Sequence, residues 1–293
     1  MIRATVICSD QGPGPNLRAP NLRITTSIAS GNSGTDPLFG AEGMRYMLRF
    51  VFGTDPVPMA KSTTPGTSWI ARAKDDGTGT IAPDAWTTMQ NYQLLHLTNN
   101  GRLDAGPEVA VQWATKAWAA GLETILWQPQ PYRDYADLDA RIAVVNAHFY
   151  RAQDLCNAVR PNGKLPVRLI PGGQVFDAIR KDPAAPATGN AYSFFNNLYG
   201  DEGFVNGMDI SVRDPFHIGS SQHVSSATGL FLVSALNVCC LYGVSPHLMP
   251  RTLEPSFTPN LSPEDGTYIL RKIFDVVTTM GRAGIDTSGW VRP

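Results

Sequence analysis

Apolar residues at Leu138, Ile142, Val145, Phe149 and Ala152 recur every three or four positions, the spacing of one helix face. The pattern predicts a helix from Asp134 to about Val159. Two short apolar runs flank it, Thr124-Ile125-Leu126-Trp127 and Pro166-Val167-Arg168-Leu169-Ile170. Both read as strands; Pro129 and Pro131 stop the first, and Pro171-Gly172-Gly173 stops the second. Upstream, Gly106-Pro107-Glu108 opens a helix that Gly121 closes. Ile24 to Ser30 is a β-branched strand run ending at Gly31, and Tyr92 to Leu97 is a further strand candidate. Between them, Leu38, Met44, Met47, Leu48 and Val51 fit a helix within Pro37 to Phe52. Downstream, Leu230 to Tyr242 is apolar on all sides, the mark of a buried helix, with Ser225 as its expected cap. Ser262-Pro263-Glu264-Asp265 starts a last helix that ends near Gly281.

Strands alternating with helices predict a parallel sheet covered on both faces. The expected architecture is a three-layer α/β/α sandwich forming one domain over 24–293. Residues 1–23 are expected as an N-terminal arm or edge strand. Open parallel sheets hold ligands beyond the C-terminal ends of their strands. Four segments occupy such positions: Gly31-Asn32-Ser33, Asn99-Asn100-Gly101, Gln128-Pro129-Gln130 and Gly172-Gly173-Gln174.

Composition narrows the function classes. With Lys plus Arg at 24 and Asp plus Glu at 25, the formal charge is -1, so no electrostatic case for a nucleic-acid partner arises. The Leu230–Tyr242 run is too short to span a bilayer. The first ten residues lack a secretory leader pattern, which makes a cytoplasmic location the default expectation. The four cysteines, Cys8, Cys156, Cys239 and Cys240, show no CxxC spacing and are expected as buried free thiols. Neither GxGxxG, GxxxxGK[ST], HxH nor HExxH occurs, so no nucleotide, metal or other cofactor is expected.

Ser33 follows a strand and precedes a helix pattern. There a hydroxyl can face the strand ends with a helix N-terminal N–H beside it, which suits a nucleophile with an oxyanion donor. The competing reading is a Gly-Asn-Ser turn that caps the helix. Of the five histidines, His96 lies in a strand pattern, His148 in a helix pattern and His247 in a turn. His217 and His223 lie in the polar loop before Ser225, with Asp214 three residues ahead of His217. That carboxylate suits the task of fixing an imidazole tautomer.

A Gly-x-Ser after an early strand, with Asp and His just before a late helix, resembles the SGNH/GDSL-type hydrolases, in a bacterial branch whose first motif is Gly-Asn-Ser. The segment from Ser225 to Pro246 looks like that branch's region after the catalytic histidine. Val167 to Gln174 looks like its strand and Pro-x-Gly-Gln turn. The resemblance covers roughly 24–246 and implies the SGNH-hydrolase variant of a flavodoxin-like sandwich. Carried over, it makes Ser33 the nucleophile, with Gly66 and the Asn99 side chain completing the oxyanion hole; a turn role remains open for both. The chain departs from the family pattern at the base. Asp214 and His217 have the family spacing, whereas His223 has the family's relation to the helix start but Ser220 three residues before it. His223 is the preferred base, His217 the alternative, and Asp214 the orienting carboxylate in both. The resemblance implies acyl transfer to water on small acyl or acetyl esters, glycan acetyl groups among them. Trp69, Trp127 and Tyr132 are candidates to stack on a sugar ring or to serve as core and rim aromatics. The alternative function is a catalytically inactive SGNH-like binding or structural module.

Overall fold

The computed structural model describes residues 2–7, 17–19, 22–25, 46–47, 49–51, 57–58, 107–119, 123–128, 130–131, 137–188, 193–199, 204–205, 208–209, 227–253 and 261–293. Among the described residues, four strands precede Glu108: β1 (Ile2–Ile7), β2 (Leu17–Ala19), β3 (Leu22–Thr25) and β4 (Val57–Pro58). Helix α1 (Glu108–Ala119) leads to β5 (Glu123–Trp127), α2 (Leu138–Ala158) and β6 (Arg168–Ile170). The sheet order is β4-β2-β3-β1-β5-β6. Within it β3, β1, β5 and β6 run parallel, while β2 is antiparallel to β3 and β4. Residues 2–7 were expected in an arm or edge strand, yet β1 pairs on both sides. Its Ile2-Arg3-Ala4-Thr5-Val6-Ile7 run has few turn-forming residues and suits an interior strand.

Continuous apolar runs produce strands buried on both faces, and Thr124, Ile125, Leu126, Leu169 and Ile170 are all buried. Leu126 pairs with Leu169 and Trp127 with Ile170. Helix α2 joins the two strands as the crossover that a parallel pair needs. It begins at Leu138, not at the expected Asp134, because the Asp137 carboxylate accepts the Ala140 N–H at 2.9 Å and caps it. Ile142, Val145, Phe149 and Ala152 form its buried stripe as the period requires.

The chain continues through α3 (Gly172–Arg180), the short α4 (Phe194–Asn197) and the hairpin of β7 (Phe204–Val205) with β8 (Met208–Asp209). Helix α5 (Ala227–Tyr242) is buried without interruption over 231–241. Its internal Asn237 donates to the Val233 carbonyl at 2.7 Å, which satisfies a polar group that burial would otherwise penalise. Ser225, the expected cap, lies outside the described residues. A 3-10 turn (Pro246–Leu248) precedes α6 (Pro263–Met280). Both ends of α6 follow the sequence: Ser262 accepts the Asp265 N–H at 3.0 Å, and Gly281 ends the helix at φ 66°.

Helices α2 and α5 both pack against β6, α1 packs on α2 and β5, and α6 packs on α3 and α5. The outer side of β6 is covered by the chain returning after α6, where Leu169 donates its N–H to the Arg282 carbonyl at 3.1 Å. Gln153 of α2 bridges this junction, donating to the Val167 and Arg282 carbonyls at 3.0 and 2.9 Å. The strand edge is thus closed off from pairing with another chain. Among the described residues, no helix is long and apolar enough to cross a membrane.

Candidate functional site

Of the residues singled out in the sequence, Ser33, Gly66, Trp69, Asn99, Asp214, His217 and His223 lie outside the described residues, as does Tyr132. Trp127 is the last residue of β5, where its backbone pairs with Ile170. His148 sits half-buried on α2, edge-on to Phe149, with burial pushing its imidazole below the ordinary histidine range. His247 accepts or donates through Nδ1 to the Ser245 hydroxyl at 2.7 Å, a local turn contact. Cys156, Cys239 and Cys240 are buried free thiols. Burial pushes the Cys156 thiol up to about 12. A buried thiol of this kind has little thiolate to offer as a nucleophile.

Of the four segments placed beyond strand ends, Gly172-Gly173-Gln174 is described in full and Gln128-Pro129-Gln130 at Gln128 and Gln130, and hydrogen bonds lock Gln128 to the former. Gln128 extends the β5 ladder by donating its N–H to the Ile170 carbonyl at 2.9 Å. Its own carbonyl accepts the Gly173 N–H at 3.1 Å, and its side-chain Oε1 accepts the Gln174 N–H at 3.2 Å. Pro171 stands at the N-cap of α3 and supplies no side-chain acceptor. The first N–H groups of a helix lack partners within it. Gln128, wholly buried, supplies them from the neighbouring strand end. The next turn residue, Pro131, accepts the hydroxyl proton of the buried Tyr199 through its carbonyl.

This bonding fixes amide orientations. Because Gln128 Oε1 accepts from Gln174, its Nε2 is the donor, and it reaches Asn146 Oδ1 at 2.5 Å. The Asn146 amide nitrogen is thereby turned to the other side. Asn146 and Tyr150 are four residues apart on α2 and share a face. The Tyr150 hydroxyl accepts from Gln174 Nε2. Burial pushes the Tyr150 phenol above its ordinary range, against the smaller opposing effects of Arg282 and Gln174, so it stays a proton donor at neutral pH. The Arg282 guanidinium lies 4.3 Å from the centre of the Tyr150 ring, a cation–π distance. It also donates to Gln153 Oε1 at 3.1 Å and to Asp154 at 2.8 and 3.4 Å.

Asn146, Tyr150, Gln174 and Arg282 line an open cleft of about 500 Å³ between α2, α3 and α6. Asp177 also lines it, its carboxylate paired with Arg180 at 2.7 Å and Lys181 at 3.0 Å. Gln174 was within a segment that the strand-end rule singled out. Asn146, Tyr150 and Arg282 were not read as site residues; only the helical period linking Asn146 to Tyr150 was visible, and nothing local announces Arg282. Among the described residues, no three His, Cys, Asp or Glu side chains gather as a metal-binding group.

No family model, curated protein or solved structure matches this chain.

Proposed function

We propose that the chain is a serine esterase of the SGNH type, built on a three-layer α/β/α sandwich, that transfers the acyl group of small esters to water. One observation supports this reading above the others. Strands β3, β5 and β6 share one direction, so their C-terminal ends lie at a common edge. At that edge the Pro171–Gln174 turn, which resembles the family's turn, is held by Gln128 at the end of β5. In sequence, β3 ends at Thr25 and Gly31-Asn32-Ser33 follows shortly after.

In the proposed reaction, neutral His223 takes the proton of Ser33 as Oγ bonds to the ester carbonyl carbon. The resulting oxyanion is held by the N–H groups of Ser33 and Gly66 and by the Asn99 amide. His223 returns the proton to the departing alcohol oxygen as the carbon–oxygen bond breaks. Water, deprotonated by the same imidazole, then attacks the acyl-enzyme, and the imidazolium returns that proton to Ser33 Oγ as the acyl carbon–oxygen bond breaks and the acid leaves. Asp214 holds the imidazole tautomer. Removal of a single oxyanion donor is expected to lower kcat by roughly 10²–10³.

Fluorophosphonate labelling with peptide mapping tests the proposal. The expected result is an adduct on Ser33 that is absent in Ser33→Ala. A folded protein that leaves Ser33 unlabelled overturns it and favours a non-catalytic binding module.

A further inference from the structure

We propose that the cleft between α2, α3 and α6 is a binding site for a neutral pyranose sugar. The argument starts from which hydrogen-bonding capacity remains unspent. The charges on the cleft wall are already matched: Arg282 with Asp154, and Asp177 with Arg180 and Lys181. An ionic ligand would meet charges that already have partners of opposite sign. What remains is neutral and mixed. The Asn146 amide N–H group, whose oxygen is held by Gln128, is a donor. The Tyr150 hydroxyl accepts from Gln174 and keeps its own proton to give. Gln174 spends its amide nitrogen on Tyr150 and keeps its oxygen as an acceptor. Thr279 donates to the Asp275 carbonyl at 2.6 Å, which leaves lone pairs on its hydroxyl oxygen.

Two donors and two acceptors on residues that line one space match vicinal hydroxyls, each of which donates and accepts. Ala178, Val276 and Met280 add an apolar strip suited to the C–H face of a sugar ring. A volume of about 500 Å³ lies within the usual range for small-molecule sites and accommodates a mono- or disaccharide. Preorganisation is the feature that separates this cleft from an ordinary polar surface. Gln128, wholly buried, holds the Asn146 amide through its Nε2 and the Gln174 backbone N–H through its Oε1, while the Gln174 side chain is held by the Tyr150 hydroxyl. Side chains fixed before binding lose less conformational freedom when a ligand arrives.

The proposal stands apart from the esterase reading, and its test separates the two. The full chain is titrated with glucose, galactose and N-acetylglucosamine, with inorganic phosphate and acetate as ionic comparators. Binding is read by saturation-transfer NMR and by the side-chain amide signals of Asn146 and Gln174. At least one pyranose is expected to bind saturably and to shift those signals. Tyr150→Phe keeps the ring beneath Arg282 but removes the hydroxyl, and is expected to weaken binding about tenfold, the effect of one well-placed hydrogen bond. Thr279→Val, at an exposed position, is expected to weaken binding in the same direction and provides the reading should Tyr150→Phe unfold. Ser33→Ala is expected to bind the sugar as the unmodified chain does, whatever its esterase activity. Absence of binding by all three sugars, unchanged affinity in the folded variants, or binding of phosphate or acetate alone overturns the proposal.

Discussion

Arg168, a buried residue of β6, donates a guanidinium N–H to the carbonyl of Cys240 at 2.7 Å, across 72 positions of sequence. Cys240 lies in the last turn of α5, where carbonyls have no partner within the helix and carry partial negative charge. One side chain thus fastens the strand to the end of an apolar helix. We expect Arg168→Met to lower stability by about 2–3 kcal/mol, because a charged donor is lost and a buried carbonyl is left unpaired. Arg168→Lys keeps the charge and is expected to lose less. Urea unfolding with unchanged m-value is the measurement; equal stability of Arg168→Met and the unmodified chain contradicts the role.

A strand carrying an arginine that reaches a distant helix end is beyond what periodicity can reveal. The period of Ile142, Val145, Phe149 and Ala152 exposed the buried face of α2, and the caps at Ser262 and Gly281 fixed the limits of α6. Those signals are local, since the residues that decide them lie within one or two turns. The supporting contacts are not local. Gln128 caps α3 from another strand, and Arg282 reaches Tyr150 and Gln153 only once the chain has folded back beside β6. Neither residue type has a sequence signature for such a task. For the proposed esterase site the sequence offers only the order of the motifs, from Ser33 to His223, and that order says nothing of side-chain geometry.

Two glycines make a paired prediction about space and backbone. A Cβ at Gly266, in the first turns of α6, would lie 1.6 Å from the Arg251 carbonyl oxygen. The helix therefore approaches that backbone too closely for any side chain, and relief requires movement of the main chain. Gly266→Ala is expected to cost about 3 kcal/mol or more by overpacking. Gly163 has φ +77° and nothing within 4 Å of where a Cβ would stand, so Gly163→Ala should cost only the left-handed backbone penalty of about 1–2 kcal/mol. Parallel denaturation curves test the ranking; a smaller loss at Gly266 would falsify the close approach.

His148 gives a pH prediction whose sign follows from its surroundings. Burial lowers its folded-state pKa below the ordinary 6.5, while Glu108 of α1 opposes the shift more weakly. Its Nε2 has no hydrogen-bond partner among the described residues. As the pH falls through the ordinary histidine value, the unfolded chain takes up the proton first. The unfolded state then binds more protons, so stability declines with falling pH until the folded imidazole also protonates. Above the ordinary value both states are neutral and the group contributes no slope. Replacing His148 by Phe is expected to flatten the stability profile between about pH 5 and 7. An unchanged slope in this variant would place the proton uptake elsewhere.

The choice of general base yields to paired alanine variants, if Ser33 is the nucleophile. His223 stands next to the expected helix start at Ser225, and a helix terminus holds a side chain better than a position inside a loop. His217 has Asp214 at the family spacing but lies farther from that anchor. A general base is worth about 10²–10⁴ in rate. His223→Ala is therefore expected to lower kcat for a small acetyl ester by at least about 100-fold, with His217→Ala changing it only slightly. Asp214→Ala should reduce kcat while leaving KM nearly unchanged, since orientation of the base matters in the transition state and adds little to substrate binding. The reverse ranking, with His217→Ala inactive and His223→Ala active, would assign the Asp214–His217 pair and leave His223 a residue of the helix entry. Activity retained in both single variants would remove both imidazoles from the reaction and, with them, the proposed mechanism.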